Sequence, residues 1–204
     1  MANTLFAIVL GYLSGSILFA RLAVRLFGKP DILEKSPDGN PGTSNAFAYG
    51  GFWCGLFVLL GDLAKGFLPV WCWFHSGFDA PGSLWAALIL AAPVVGHGFP
   101  IFYRFRGGKG IAVTFGCLLG LMPRWIPAVT LALCFLFFSL ILRIKPHFYR
   151  TVATYLFTAV SLALFRVEAW ALLGFCLMGA VVLLRLHKSG EERERPEVKL
   201  LWMR

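Results

Sequence analysis

The chain has 204 residues, of which 58% are hydrophobic and only 14% are charged. Soluble domains average roughly 25% charged residues, so this composition excludes an ordinary soluble protein and predicts an integral membrane protein with several spans. The net charge is +9. Because the basic residues lie in short loops and a tail, membrane orientation explains this charge better than nucleic-acid binding does.

Seven apolar segments follow one another along the chain, and each is expected to form a transmembrane helix. They cover about 4–27, 51–74, 83–102, 111–122, 125–142, 148–165 and 169–186. The fourth is short for a bilayer that needs ~20 helical residues. The sequence therefore predicts an all-α membrane protein with about seven transmembrane helices, made of a single membrane domain (1–187) and a polar tail (188–204).

The basic residues predict the orientation of these spans. Of the 19 Lys and Arg residues, all except Arg124 and Arg166 fall on one side of a seven-span arrangement. Short cytoplasmic loops carry the excess of Lys and Arg, so this side is expected to be the cytoplasm. The N-terminus then lies outside and the tail lies in the cytoplasm. The first segment lacks a basic n-region, which favours a retained span over a cleaved signal peptide.

A basic, glycine-rich stretch joins the third and fourth segments. Its last part, the glycine turn (Gly107–Gly110), has almost no side-chain bulk apart from Lys109. The backbone of such a turn can adopt a positive φ and direct several N–H groups toward one point. With Lys109 beside it and a helix expected from Ile111, the turn suits a phosphate or another small anion. A flexible basic hinge at the membrane surface explains the same residues.

The loop 37–45 is rich in short polar residues and turn formers. These include Gly39, Asn40, Gly42, Thr43, Ser44 and Asn45. Their side chains and exposed backbone N–H groups can donate hydrogen bonds without adding charge. One of the last three can instead cap a helix that begins near Ala46. The two roles are compatible, since a capped helix start is also an anion site.

Two polar clusters lie within the first two segments. Gly11, Gly15 and Ser16 allow close helix packing, as small residues do in membranes. Asp62 and Lys65 are three residues apart and share a helical face. Charges at membrane depth usually face a polar cavity. The other interpretation of this second cluster is a snorkelling Lys65 with a nearby counterion.

Two histidines complete the set of candidate site residues. His97 precedes the glycine turn and could serve as a base, as a donor to phosphate or as a helix-end group. His187 follows the last segment and could donate from the cytoplasmic side. The five cysteines are spread singly through apolar segments, without a spacing that predicts a metal site or a disulfide framework.

Taken together, these motifs resemble the bacterial acyl-phosphate-dependent glycerol-3-phosphate acyltransferases, the PlsY family. The matching pieces occur in family order and spacing. They are Gly15-Ser16-Ile17, Gly39-Asn40-Pro41-Gly42-Thr43-Ser44-Asn45, Asp62-x-x-Lys65-Gly66-Phe67-x-Pro69, and Gly96-His97-x-Phe99-Pro100 through Gly107-Gly108-Lys109-Gly110. The resemblance covers residues 12 to about 116, and the C-terminal half matches mainly in hydropathy and in His187.

The resemblance implies transfer of a fatty acyl group from acyl phosphate to glycerol 3-phosphate at the cytoplasmic face of the bacterial cell membrane. The products would be lysophosphatidate and phosphate, as a step of phospholipid biosynthesis. Family members use no metal or other cofactor, and a substrate phosphate is held to act as the base. Lys109 and His97 would be the catalytic residues. The substrate-binding residues would be Ser16, Gly39, Asn40, Gly42, Ser44, Asn45, Lys65, Gly107, Gly108, Gly110 and His187.

The chain departs from the family pattern at five positions. The family usually has Ser, Arg, Pro, Thr and Asn where this chain has Asp38, Ala48, Leu18, Val113 and Gly190. The loss of an arginine and the gain of a carboxylate both work against anion binding. Two alternatives therefore stay open. One is a non-catalytic membrane protein that binds or transports a phosphorylated lipid or anion, and the other is an acyltransferase with a different acceptor.

Overall fold

The computed structural model describes residues 1–28, 32, 36, 39–77, 82–190 and 194–201, and these residues are mostly helical. The helices are α1 (Ala2–Gly15), α2 (Phe19–Leu26), α3 (Thr43–Gly50), α4 (Phe52–His75), α5 (Ser83–Gly98), α6 (Ile111–Leu119), α7 (Ile126–Leu136), α8 (His147–Leu164) and α9 (Ala169–Lys188). A 3₁₀ turn (Ile101–Tyr103) follows α5, and a π-helical turn (Phe137–Ile141) follows α7. Two short strands are β1 (Leu142–Lys145) and β2 (Glu197–Leu200).

Four helical stretches in the described part of the chain are long and apolar enough to cross a membrane. They are Ala2–Leu26, Phe52–His75, Leu84–Tyr103 and Ala169–Lys188, and they coincide with the first, second, third and seventh predicted segments. Shorter helices occupy the other three segments. Large apolar side chains such as Phe6, Phe157 and Leu164 are exposed on the outer surface, where lipid rather than water is the expected neighbour. The protein is thus a multi-pass membrane protein.

The first predicted segment forms two helices rather than one. Helix α1 ends at Gly15, and the hydroxyl of Ser16 donates a hydrogen bond to the Tyr12 carbonyl at 2.8 Å. The close packing predicted for the small residues of this segment is confirmed. A Cβ added to Gly15 would overlap the backbone of Pro93 on α5, and one added to Gly96 would overlap the backbone of Tyr12.

Helix α5 lies at the centre of the fold and packs against both α1 and α9, while α4 packs against α6. Glycines again allow the second of these contacts, because a Cβ on Gly66 or Gly116 would overlap backbone of the facing helix. Fully buried apolar side chains fill the space between these helices. They include Val70, Leu90, Val94, Leu118, Phe175 and Met178.

The polar tail contributes a short strand, which departs from the all-α prediction. Strand β2 pairs antiparallel with β1, with Leu142 opposite Leu200 and Lys145 opposite Glu197. The tail sequence Glu-Val-Lys-Leu alternates charged and apolar residues, which is the two-residue period of a strand. Since β1 lies directly before α8, this small sheet holds the start of α8 at the edge of the bundle.

The loop between α6 and α7 (120–125) meets the loop between α8 and α9 (165–168) at one end of the bundle. Arg124 Nε lies 2.9 Å from Glu168 Oε1, and both side chains are about half exposed, at 49%. The hydrogen bond from Arg124 lowers the pKa of the Glu168 carboxyl. Arg124 and Arg166 are the two basic residues predicted to lie on the opposite side of the membrane from the other Lys and Arg residues. They belong to loops at the same end of the bundle.

Candidate active site

Asp62 and Lys65 on α4 meet His97 on the last turn of α5 in the interior of the bundle. The exposed fractions of these residues are 2%, 4% and 2%. Lys65 Nζ lies 2.8 Å from Asp62 Oδ1 and 2.8 Å from His97 Nδ1. It also donates a hydrogen bond to the Ile17 carbonyl at 2.7 Å. Lys65 is therefore part of a buried network and does not snorkel toward the membrane surface.

These contacts determine the tautomer of His97. An ammonium group has three donors and no acceptor, so Lys65 can only donate in its hydrogen bonds with Ile17 and His97. Nδ1 of His97 must then accept, so the ring proton of the neutral imidazole lies on Nε2. A Cβ added to Gly108 would overlap Nε2, which places this N–H donor against the glycine turn. In this tautomer, the donor of His97 faces the glycine turn.

The glycine turn packs tightly over the end of α5. The N–H of Gly108 donates to the His97 carbonyl at 3.1 Å, and the guanidinium of Arg185 on α9 donates to the Gly107 carbonyl. Added Cβ atoms on Gly107 and Gly108 would overlap atoms of His97. Within the turn, a positive φ occurs at Gly110 alone, at 87°. Glycine is thus required for space at the first two positions and for backbone conformation at the last.

The asparagine loop (Gly39–Gly42) folds onto the glycine turn. The Asn40 carbonyl accepts hydrogen bonds from Gly42 N–H and Asn45 Nδ2, each at 2.8 Å. The Asn40 side-chain oxygen lies 3.2 Å from the position of an added Gly108 Cβ. Helix α3 begins at Thr43, slightly earlier than predicted, with Gly42 as its N-cap and without a side-chain cap. The polar side chains of its first turn line the space in front of the glycine turn.

These elements enclose a cavity of about 610 Å³. Small-molecule sites usually measure ~300–1,000 Å³. The polar part of the wall consists of Asn40, Gly42, Thr43, Ser44, Asn45, Asp62, His97, Lys109 and Gly110, and the apolar part of Leu59, Ile111, Ala112, Phe115 and Phe135. Two basic residues of α8, His147 and Arg150, complete it. A polar wall beside an apolar wall suits a molecule with a charged head and an apolar chain.

Several predicted site residues do not line the cavity. These are Ser16, Gly39, Lys65, Gly107, Gly108 and His187. The Ser16 hydroxyl accepts a hydrogen bond from Ile101 N–H at 3.4 Å and so fixes the turn after α5. Gly39 has a φ of 57° and turns the asparagine loop. His187 lies exposed in the last turn of α9. Asp38, a predicted departure from the family, lies outside the described residues.

Three basic residues of the site were missed by the sequence analysis. Arg185 holds the glycine turn, and its guanidinium carbon lies 5.7 Å from the centre of the Phe99 ring. His147 and Arg150 are three residues apart on α8 and share a face of that helix. This spacing is visible in the sequence. Nothing in the sequence, however, indicates that the start of α8 would face the glycine turn.

The sequence profile of a family described as glycerol-3-phosphate acyltransferase matches residues 5–194. The chain belongs to this family. A glycerol-3-phosphate acyltransferase of Thioalkalivibrio sulfidiphilus is 36% identical over 94% of this chain and 93% of its own length. Another, of Pseudomonas fluorescens, is 44% identical over 62% of this chain and 63% of its own length. The match with this second relative thus spans less than two thirds of it.

The family fold is also shared with solved structures of PlsY, an integral membrane glycerol 3-phosphate acyltransferase. Its glycerol 3-phosphate form has a TM-score of 0.75 and 26% identity, covering 90% of this chain and 88% of that chain. Its lysophosphatidic acid form has a TM-score of 0.69 and 26% identity, covering 90% and 87%. The resemblance to the PlsY family that the motifs indicate is therefore confirmed.

Proposed function

We propose that this protein transfers a fatty acyl group from acyl phosphate to the 1-hydroxyl of glycerol 3-phosphate. The observation that carries the proposal is the cavity in which Lys109, the asparagine loop and the start of α6 meet beside an apolar wall. Both substrates bear a phosphate group, and the donor also bears an apolar chain. Membership in the glycerol-3-phosphate acyltransferase family supports the acceptor.

The proposed reaction is a direct transfer. The 1-hydroxyl oxygen attacks the acyl carbonyl carbon, the bond from that carbon to the phosphate oxygen breaks, and phosphate leaves with the electron pair. The hydroxyl proton passes to a phosphate oxygen, because the family resemblance implies that a substrate phosphate acts as the base. Lys109 offsets phosphate charge, and the neutral donors around Asn40 and Ser44 orient the substrates. His97 holds the glycine turn and offers a donor rather than a base.

We also propose that the cavity opens at the cytoplasmic face of the bacterial cell membrane. The proposed topology has seven spans, the N-terminus outside and the tail 188–204 in the cytoplasm. Lys109, Arg150 and Arg185 lie at the cavity end of α6, α8 and α9, whereas Arg124 belongs to a loop at the opposite end of α6. This distribution is the one that the positive-inside rule associates with a cytoplasmic cavity.

The decisive assay uses the purified protein in detergent with acyl phosphate, with and without glycerol 3-phosphate. We expect phosphate release that depends on glycerol 3-phosphate, together with formation of lysophosphatidate. Hydrolysis of acyl phosphate that does not depend on glycerol 3-phosphate would favour a phosphate-binding protein without transferase activity. Tight binding of the substrates without turnover would favour the same conclusion. If activity appeared only with another hydroxylated acceptor, that acceptor would replace glycerol 3-phosphate as the proposed substrate.

Lys109→Ala should lower kcat/KM for transfer by roughly 10- to 150-fold, because a hydrogen bond to a charged group contributes ~1.5–3 kcal/mol. Phosphate release at matched protein abundance measures this change. Arg106→Ala is the matched control, since Arg106 is basic, exposed and close in sequence but does not line the cavity. Equal activity of Lys109→Ala and the parent would contradict the role given to Lys109.

His97→Gln should keep measurable transferase activity with an unchanged pH profile. Glutamine retains an N–H donor but cannot exchange a proton near neutral pH, so it can replace a positioning histidine and not a basic one. The measurement is kcat/KM from roughly pH 5 to pH 8, an interval that brackets the ordinary histidine pKa of about 6.5. Complete loss of turnover with intact glycerol 3-phosphate binding would make His97 the catalytic base instead.

A further inference from the structure

The first turn of α8 brings basic side chains into the cavity that no sequence motif assigned. His147 and Arg150 line the same cavity as Lys109, and both are half-buried. Residues three apart share one face of a helix, so the two side chains enter the cavity together. Strand β1, held by β2, directly precedes them and fixes where α8 begins.

The position of Arg150 within its helix is electrostatically unusual. A helix N-terminus carries a partial positive charge, so basic side chains are favoured at the other end. The first turn of α8 contains no acidic residue but does contain His147 and Arg150. A bound anion would turn this arrangement from unfavourable to favourable. Asp62 also lines the cavity, but Lys65 at 2.8 Å offsets its charge and reduces its repulsion of an anion.

The substrates of the proposed reaction need more than one cation. Each has a phosphate group, and a lysine ammonium acts on phosphate as a point charge, whereas a guanidinium can hold two phosphate oxygens at once. The family resemblance places an arginine at position 48, where this chain has alanine. Ala48 is exposed and does not line the cavity. Among the described residues that line the cavity, Arg150 is the one with a guanidinium group.

We propose that Arg150 binds the phosphate of glycerol 3-phosphate as the second cation beside Lys109. It takes over, from a different helix, the contribution of the arginine that Ala48 replaces. His147 adds a donor on the same face of α8. This inference rests on the proposed function, and it makes the start of α8 the part of this chain that determines affinity for the acceptor.

The test compares Arg150→Ala, Arg150→Lys and Arg143→Ala in detergent. Arg143 is the matched control, since it is an exposed arginine on β1 that does not line the cavity. Isothermal titration calorimetry gives the Kd for glycerol 3-phosphate, and phosphate release gives KM for each substrate. Arg150→Ala should raise the Kd and KM for glycerol 3-phosphate at least about tenfold, the usual effect of losing a charged phosphate contact. Arg150→Lys should recover part of this loss.

The KM for acyl phosphate and kcat should change much less in Arg150→Ala, because the lost contact acts mainly on acceptor binding. The inference is overturned if glycerol 3-phosphate binds Arg150→Ala as tightly as the parent, if Arg143→Ala loses as much affinity, or if the parent does not bind it. It is also overturned if the KM for acyl phosphate rises instead. A parent that binds glycerol 3-phosphate in an Arg150-dependent way but releases no phosphate supports this inference and contradicts the proposed transferase function.

Discussion

Gly108→Val should abolish transferase activity while leaving the fold intact. A Cβ at this position overlaps Nε2 of His97 and lies 3.2 Å from the side-chain oxygen of Asn40. The branched side chain of valine must therefore push the glycine turn away from both. Displacing a binding element by about 1 Å can cost ~100-fold in rate, and here the displaced element carries Lys109. Phosphate release, measured at matched abundance and thermal stability, is expected to fall more than about 100-fold.

A smaller change at the same place isolates the steric reason. Gly108→Ala adds the Cβ alone, and Gly179→Ala on α9 is its matched control, because a Cβ there meets just Tyr155 Cδ1 at 3.3 Å. Gly108→Ala should lose more activity than Gly179→Ala and less than Gly108→Val. Parental activity in Gly108→Ala would show that the turn can give way without loss, against the tight packing on His97.

Much of the helical architecture could be predicted from apolar segments, because helices in a bilayer must satisfy their own backbone hydrogen bonds. The exceptions have local causes. Hydropathy continues through residues 16–18, so the break between α1 and α2 leaves no apolar signal. It depends on Ser16, whose hydroxyl bonds to Tyr12 and receives Ile101 N–H. The tail strand β2 has a two-residue alternation that the sequence analysis did not use, and its partner β1 lies almost wholly between the predicted segments 125–142 and 148–165.

The parts of the candidate site that could be predicted are those carried by local motifs. The glycine turn and the asparagine loop have unusual local compositions, and His97 lies close to the glycine turn in the sequence. The structure brings all three together. Residues that enter from another part of the chain have no such signal. His147 and Arg150 reach the cavity because α8 packs beside α7, which a single sequence does not reveal. Ala48 was noticed as a loss, but Arg150, its proposed replacement, could not be inferred without the fold.

Lys65→Met should destabilise the protein strongly, by about 3–5 kcal/mol, which is the usual cost of leaving one member of a buried ion pair unmatched. The carboxylate of Asp62 would remain 2% exposed without its ammonium partner at 2.8 Å. The Ile17 carbonyl and His97 Nδ1 would each lose a donor as well. The free energy of unfolding in detergent, from denaturant titration, measures the effect.

Two comparisons separate burial from the mere presence of an ion pair. The double variant Asp62→Asn with Lys65→Met should be more stable than Lys65→Met alone, because no uncompensated charge remains in the interior. Arg124→Met breaks the pair with Glu168, which has a similar separation of 2.9 Å but is about half exposed, at 49%, and should cost at most about 1 kcal/mol. If Lys65→Met and Arg124→Met lowered stability equally, Lys65 would not be the buried donor that the network requires. The assignment of the His97 proton to Nε2, and with it the positioning role of His97, would then lose its physical basis.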